Sequence, residues 1–389
     1  MTRPTDRPAA SPTTRPRLLY VDNLRTALTV LVVLHHAAIA YSSIPRWYYM
    51  ETVTDPSGVF LDLLLLLNQT FFMGVFFLIS GLFVPGSHDR KGTRSFLGER
   101  LLRLGVPLLA WLLLLRPLVT VGAYTEARDV AARQGAELPY WQYYLHSFTP
   151  GPMWFVEVLL VFSALYVLWR HLAGKERRAS GAAPVAGRAP GAVAIVGFTI
   201  GLALVTYLWR IVIPMGVPLP VLGLPTPAYL PQYAALFAAG LIAARRGWLD
   251  GLSRATGRTG FAAAAVAAVG IILLAIGSSG GTAFLGHGTW QSLVMAACDS
   301  TLAVGIALGL LMLFRERLGH QGRRRRFLST HAYTVYLIHP VVLVALGYAL
   351  SGVQAPAVAK FALLAVLAVP LCWAMAFAVR ALPGARKVL

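Results

Sequence analysis

The chain has 389 residues, 57% of them hydrophobic and only 13% charged, a balance that excludes an ordinary soluble globule and describes a polytopic helical membrane protein. Its net charge of +19 raises the question of nucleic-acid binding, which the distribution of the basic residues answers in the negative. Apolar stretches of ~17–25 residues, rather than alternating ~10-residue segments, argue for helices over a barrel.

Residues 1–19 are rich in Pro, Thr and Arg and are expected to form a disordered cytoplasmic tail. About ten membrane spans follow, at 24–41, 59–83, 104–122, 154–170, 193–213, 230–244, 261–277, 290–314, 330–350 and 357–379. They make residues 20–380 one all-α transmembrane domain and leave 381–389 as a short cytoplasmic tail. The sixth span is short and follows a proline-rich run from Pro214 to Pro231. No A-x-A-like cleavage site closes the first apolar run, so it reads as a retained span and not a signal peptide.

Twenty-eight of the 34 Lys and Arg fall on alternate connections: the N-terminal segment through Arg25, the loops after spans two, four, six and eight, and the C-terminus. This is the positive-inside pattern, and it places both termini in the cytoplasm. It makes anionic lipid headgroups, not nucleic acid, the expected partners of most of these charges. High Ala, Arg and Gly usage suggests a bacterial coding sequence and hence the plasma (inner) membrane.

The first span carries the main chemical signal. Arg25 begins it and His36 follows eleven residues later, ~16 Å along a helix and only ~20° around it. Asp22 and Thr29 lie near the same stripe, while His35 is turned ~80–100° away. An ionisable group at membrane depth is a functional-site candidate by default; the plainer alternative is a neutral imidazole hydrogen-bonded within the bundle. Other polar groups at depth are Asn68, Gln69 and Thr70 in span two, Glu157 in span four, Asp299 in span eight and His339 in span nine. A carboxylate such as Asp299 or Glu157 beside a His would help it accept a proton. Each of these groups can instead serve helix–helix hydrogen bonding. Pro340 is expected to kink its helix and free a carbonyl that His339 can satisfy. The two cysteines, Cys298 and Cys372, lie in apolar spans, no His pair has metal-ligand spacing, and no Gly-rich phosphate loop appears.

Tyr20-Val21-Asp22-Asn23-Leu24-Arg25, ten further residues and then His36 resemble the opening motif of the acyltransferase 3 family of integral membrane enzymes. Phe76-Phe77-Leu78-Ile79-Ser80-Gly81-Leu82-Phe83 resembles its second-helix motif, with Leu82 where an aromatic residue is frequent. Phe96 to Leu104 with Pro107 resembles its basic stretch. Met153-Trp154-Phe155-Val156-Glu157 resembles its fourth-helix start, and Tyr336-Leu337-Ile338-His339-Pro340 its late Tyr-Leu-x-His element. Within the family, the long first apolar loop and the GPMWFVE run resemble the group that includes the membrane succinyltransferase of periplasmic glucan synthesis.

The resemblance implies transfer of an acyl group from cytoplasmic acyl-CoA, acetyl-CoA or succinyl-CoA, to a hydroxyl of an extracytoplasmic glycan or similar acceptor. His36 is then the catalytic base or transient acyl carrier, with Asp299 and Glu157 as catalytic candidates. Arg25, Ser80, Gly81, Arg100 and Arg103 are the acyl-CoA-binding candidates, and Asp22, Tyr336 and His339 supporting residues. No permanently bound cofactor and no metal is implied. Only one span follows the ninth, so the membrane domain is expected to complete the transfer itself or pass the acyl group to a partner. The alternative from another class is a secondary transporter or flippase, which also places ionisable groups at midplane; a non-catalytic membrane scaffold is a third reading.

Overall fold

The computed structural model describes residues 18–44, 47–174, 187–219, 223–278 and 281–389. The expected disordered tail, Arg46, Lys175, Arg177, Arg178 and Pro220 lie outside the described residues. In chain order the helices are α1 (Leu19–Ile39), α2 (Gly58–Gln69), α3 (Phe72–Lys91), α4 (Thr93–Val119), α5 (Val121–Arg133), α6 (Tyr140–His146) and α7 (Trp154–Leu172). Then come α8 (Ala192–Val212), α9 (Leu230–Arg246), α10 (Arg254–Gly277), α11 (Trp290–Arg317), α12 (Arg323–Ala349), α13 (Ala357–Ala381) and α14 (Ala385–Val388).

Among the described residues there is no strand beyond one isolated bridge, Leu219 to Leu224, and nine helical segments are long and apolar enough to cross a membrane. The protein is a polytopic helical membrane bundle. The first expected span is not one of the nine. Asp22, Asn23, Arg25, His35 and His36 dilute its hydropathy, and α1 is kept in place by its neighbours, packing against α2, α3, α11, α12 and α13. Large apolar side chains such as Val193, Val266 and Leu273 are exposed on α8 and α10, where only lipid can cover them.

Three helices depart from regular geometry, and each departure follows from residues in the chain. The expected continuous span 59–83 breaks at Thr70–Phe71, dividing α2 from α3. The broken ladder is served from outside by Gln232, which donates to the Thr70 carbonyl at 2.7 Å; beside it the Gln69 side chain donates to the Tyr233 hydroxyl at 3.1 Å and ties the break to α9. Irregular backbone at membrane depth survives only with such partners, which explains the amides of span two. The α4 helix contains two π-turns, Leu101–Gly105 and Trp111–Leu115, each ending just before a proline that lacks an N–H, Pro107 or Pro117. Carbonyls left over there take phenols, Tyr333 donating to Arg103 at 2.7 Å and Tyr144 to Leu112 at 2.6 Å. In α12 the expected effect of Pro340 is present: the Tyr336 carbonyl, four residues earlier, takes His339 Nδ1 at 2.6 Å.

Glycine sets one close helix contact. A Cβ on Gly81 of α3 would lie 2.3 Å from the Phe237 carbonyl oxygen and 3.2 Å from Gly240 Cα on α9. The seam cannot open without moving both backbones. Gly81→Ala is therefore expected to destabilise the bundle by about 1–3 kcal/mol. Gly98→Ala, with nothing within 4 Å of its added carbon, should be neutral or stabilising by up to ~1 kcal/mol. Thermal denaturation of the two variants in detergent checks the contrast, and equal midpoints would refute it.

Candidate active site

His36 points ~100° around α1 from its neighbour His35, as their helical spacing requires. His35 stacks on Phe72, ring centroids 4.8 Å apart, and its Nδ1 shares a 3.0 Å hydrogen bond with Asn68 Nδ2. It is thus tied into the α2–α3 break. His36 is half-buried and turns toward α12, where its ring lies 4.9 Å from that of His339. Trp47, from the loop after α1, covers the pair, 4.4 Å from the His36 ring and 6.3 Å from that of His339.

Backbone carbonyls assign the tautomers of both imidazoles. His36 Nδ1 is 2.9 Å from the Val32 carbonyl, and His339 Nδ1 bonds that of Tyr336. A carbonyl accepts only, so each Nδ1 carries the proton and each neutral ring presents a bare Nε2. His339 Nε2 is buried with no partner. The two rings pack together under Trp47 with Nε2 as the uncommitted nitrogen of each, which suits a substrate hydroxyl as donor.

The loop bearing Trp47 is lashed down at several points. Asp62 accepts from the Ser43 amide at 3.0 Å, Glu51 pairs with Lys360 at the start of α13, and Tyr49 donates to Glu51 at 2.6 Å. Asp55 accepts from the Ala357 amide at 2.8 Å, capping α13 as a carboxylate suits a helix N-terminus. Hydrogen bonds from Ser57 and from the Ala357 amide hold its carboxyl below the usual carboxylate range.

Tyr336 donates to the Pro152 carbonyl, joining the Tyr-Leu-x-His element to the GPMW turn, and its ring lies 6.0 Å from that of Phe155. Residues spread from 36 to 339 thus converge on one place. The carboxylates expected beside the histidine are engaged otherwise. Asp299 pairs at 2.7 Å with Arg210 of α8, and both are fully buried; Glu157 occupies the first turn of α7, half-buried. Among the described residues no hydrogen bond or ion pair joins either to a histidine. The expected carboxylate–imidazole pairing is corrected accordingly: a buried guanidinium is the stronger partner for Asp299 because it neutralises the charge.

At the far end of α1, Arg25 pairs with Asp22 at 3.2 Å, and Asn23 donates to the Leu318 carbonyl at 2.6 Å, anchoring α1 to the α11–α12 connection. Arg100 lies 5.2 Å over the Phe96 ring, and exposed Arg103 is 3.4 Å from Glu99. Ser80 is half-buried beside Gly81, whose missing side chain admits the α9 backbone. Nearby, Asp89 of α3 takes Arg245 of α9 through two contacts of 2.5 and 3.0 Å and Arg170 of α7 at 3.7 Å, tying three helices together. Among the described residues no group of three or more His, Cys, Asp and Glu is placed to hold a metal ion.

Trp47 was not legible as a site residue, because it belongs to a loop whose path the periodicity of the chain does not encode.

No curated protein and no solved structure matches the chain. The acyltransferase 3 family model, described as an acyltransferase domain, matches residues 18–377, from the start of α1 nearly to the end of α13 and through every motif named above. A match of that extent removes the transporter and scaffold alternatives: the chain belongs to the acyltransferase 3 family, and the protein is a multi-pass membrane acyltransferase.

Proposed function

We propose that the protein is an O-acyltransferase of the bacterial plasma membrane, with both termini cytoplasmic. It takes an acetyl or succinyl group from cytoplasmic acyl-CoA and moves it to a hydroxyl of an extracytoplasmic carbohydrate-type acceptor, as in the glucan-modifying succinyltransferase group. The observation that carries this reading is the His36–His339 pair under Trp47, each ring with Nδ1 committed to a backbone carbonyl and Nε2 left as proton acceptor.

The acceptor hydroxyl donates its proton to His36 Nε2 as its oxygen attacks the thioester carbonyl. The C–S bond breaks, CoA leaves as thiolate, and the imidazolium returns the proton to sulfur. In the covalent variant His36 Nε2 attacks the thioester carbonyl first and the C–S bond breaks, releasing CoA thiolate; the acceptor oxygen then displaces His36 from the acyl-imidazole while His339 Nε2 takes the hydroxyl proton and passes it to the thiolate. Arg25, Arg100 and Arg103 suit the CoA phosphates, guanidinium being matched to phosphate geometry. Ser80 and Gly81 support that end of the donor path. Asp299 and Glu157 act in this reading through the bundle rather than on the substrate.

Full-length protein in lipid nanodiscs, given labelled acetyl-CoA or succinyl-CoA and a carbohydrate acceptor, should transfer label to hydroxyls. CoA at about a hundred times its Kd should stabilise the folded state by about 2.7 kcal/mol, and Arg25→Ala should lose most of that shift. Neither label transfer nor stabilisation with either donor would overturn the reading.

A further inference from the structure

We propose, building on that assignment of His36, that Arg116 and Tyr48 form an anion subsite beside it, which takes a carboxylate or phosphate oxygen carried by one of the two substrates. Arg116 of α4 is 1% exposed. Its Nη2 donates to the Ser147 carbonyl and hydroxyl, and its guanidinium lies 4.2 Å over the Tyr144 ring. Nε and Nη1 have no hydrogen-bond partner, and among the described residues no carboxylate pairs with it. The contrast with Arg210 is direct. That guanidinium is equally buried, and the fold supplies Asp299 at 2.7 Å to neutralise it. A buried charge is ordinarily paired, so Arg116 has the form of half of an ion pair.

The groups around it are also donors in want of an acceptor. The Tyr48 hydroxyl and the indole nitrogens of Trp47 and Trp111 are buried with no partner. Tyr48 packs between the two indoles, at 5.2 Å from the Trp47 ring and 6.2 Å from the Trp111 ring, and Trp47 is the residue that covers His36. Arg116 holds Ser147 and the Tyr48 oxygen meets Gly151, four residues on, so the guanidinium and the phenol flank the same turn; burial pushes the phenol up and the Arg116 charge pulls it back. Gly151, with φ +52°, makes room: a Cβ there would lie 2.0 Å from the Tyr48 oxygen. A set of N–H and O–H groups around an uncompensated guanidinium is complementary to an oxyanion.

Position says which anion. Arg116 is thirteen residues beyond Arg103 on α4, ~20 Å along the helix, so it is remote from the residues assigned to the CoA phosphates. The anion then belongs either to the acceptor or to the far end of the acyl group.

The test uses full-length protein in nanodiscs and follows CoA release for four pairings: acetyl-CoA or succinyl-CoA with methyl glucoside or methyl glucuronide. The wild type should prefer the anionic member in one arm, and the arm identifies the source. In Arg116→Gln that preference should fall by about thirty-fold, the scale of a lost charge-assisted contact, while Arg116→Lys keeps most of it. No anionic preference in either arm of the wild type, or equal slowing of every pairing by Arg116→Gln, would overturn the subsite. Should Arg116→Gln fail to accumulate, Tyr48→Phe should lower the same ratio by about three- to ten-fold, and an unchanged ratio overturns the proposal. CoA release from no pairing would refute the proposed donors and carbohydrate-type acceptor instead. The subsite is then judged by melting alone: methyl glucuronide or monomethyl succinate should stabilise the wild type and not the Tyr48→Phe or Arg116→Gln variants, and equal or absent stabilisation would refute it.

Discussion

His36→Ala should lower acyl transfer by about 10³-fold or more while the protein stays folded. Removing a positioned base costs typically 10²–10⁴-fold, and loss of a covalent carrier would leave only the slow uncatalysed route. The ring is half-buried and its Nδ1 bonds the Val32 carbonyl of its own helix, so truncation leaves no distant partner group stranded. His339→Ala should cost less, about 10–10² fold, if His339 serves as the second proton acceptor, and the double variant should be little worse than His36→Ala because residues acting as one unit are not additive. Transfer rates of the three variants, with melting curves to confirm folding, decide this. A His36→Ala enzyme as active as the wild type would remove the first helix from the chemistry, and equal losses in the two single variants would make the histidines equivalent.

The second large effect concerns stability rather than rate. Arg210 and Asp299 are 0% and 1% exposed and 2.7 Å apart, joining α8 to α11. Arg210 also lies 4.8 Å over the Tyr229 ring at the start of the α9 region. Breaking such a pair from one side leaves an uncompensated buried charge, at about 3–5 kcal/mol. Asp299→Ala and Arg210→Ala should each reduce the yield of folded protein sharply. The double replacement Arg210→Met with Asp299→Leu removes both charges and should recover much of that loss. Unfolding of the four proteins in detergent, with Arg210→Met and Asp299→Leu made singly as well to close the cycle, gives the coupling energy. Additive losses would mean that the two side chains act independently, and a folded Asp299→Ala protein with no transfer activity would return Asp299 to the chemistry.

The membrane class and most of the spans were legible in the chain because they depend on composition over ~20 residues, which neighbouring segments hardly alter. The histidine stripe was legible because helix geometry is local: Arg25 and His36 share a face, and His35 and His36 do not, whatever surrounds them. Pro340 is a similar case, since the carbonyl it frees lies on its own helix. The second span was legible too, within Gly58–Lys91, but the turn that divides it at Thr70–Phe71 was not. Asn68-Gln69-Thr70 are tolerable helix residues, and the break depends on Gln232 and Tyr233, more than 160 positions away, being there to serve it. The π-turns of α4 were missed for a like reason, as the phenols that take the surplus carbonyls come from α6 and α12.

The candidate site divides along the same line. The sequence by itself determined a helical membrane enzyme of the acyltransferase 3 family and singled out His36 as the candidate centre, because motifs and helical phase are properties of short contiguous segments. Only the tertiary structure decided which groups meet there. It set His339 against His36, closed Trp47 over both, assigned Asp299 to Arg210, and left Arg116 buried without a carboxylate. Those outcomes depend on how separate helices and the loop after α1 pack in space. Ion pairing and ring contact act over a few ångströms, and the chain does not encode those distances until the bundle is assembled.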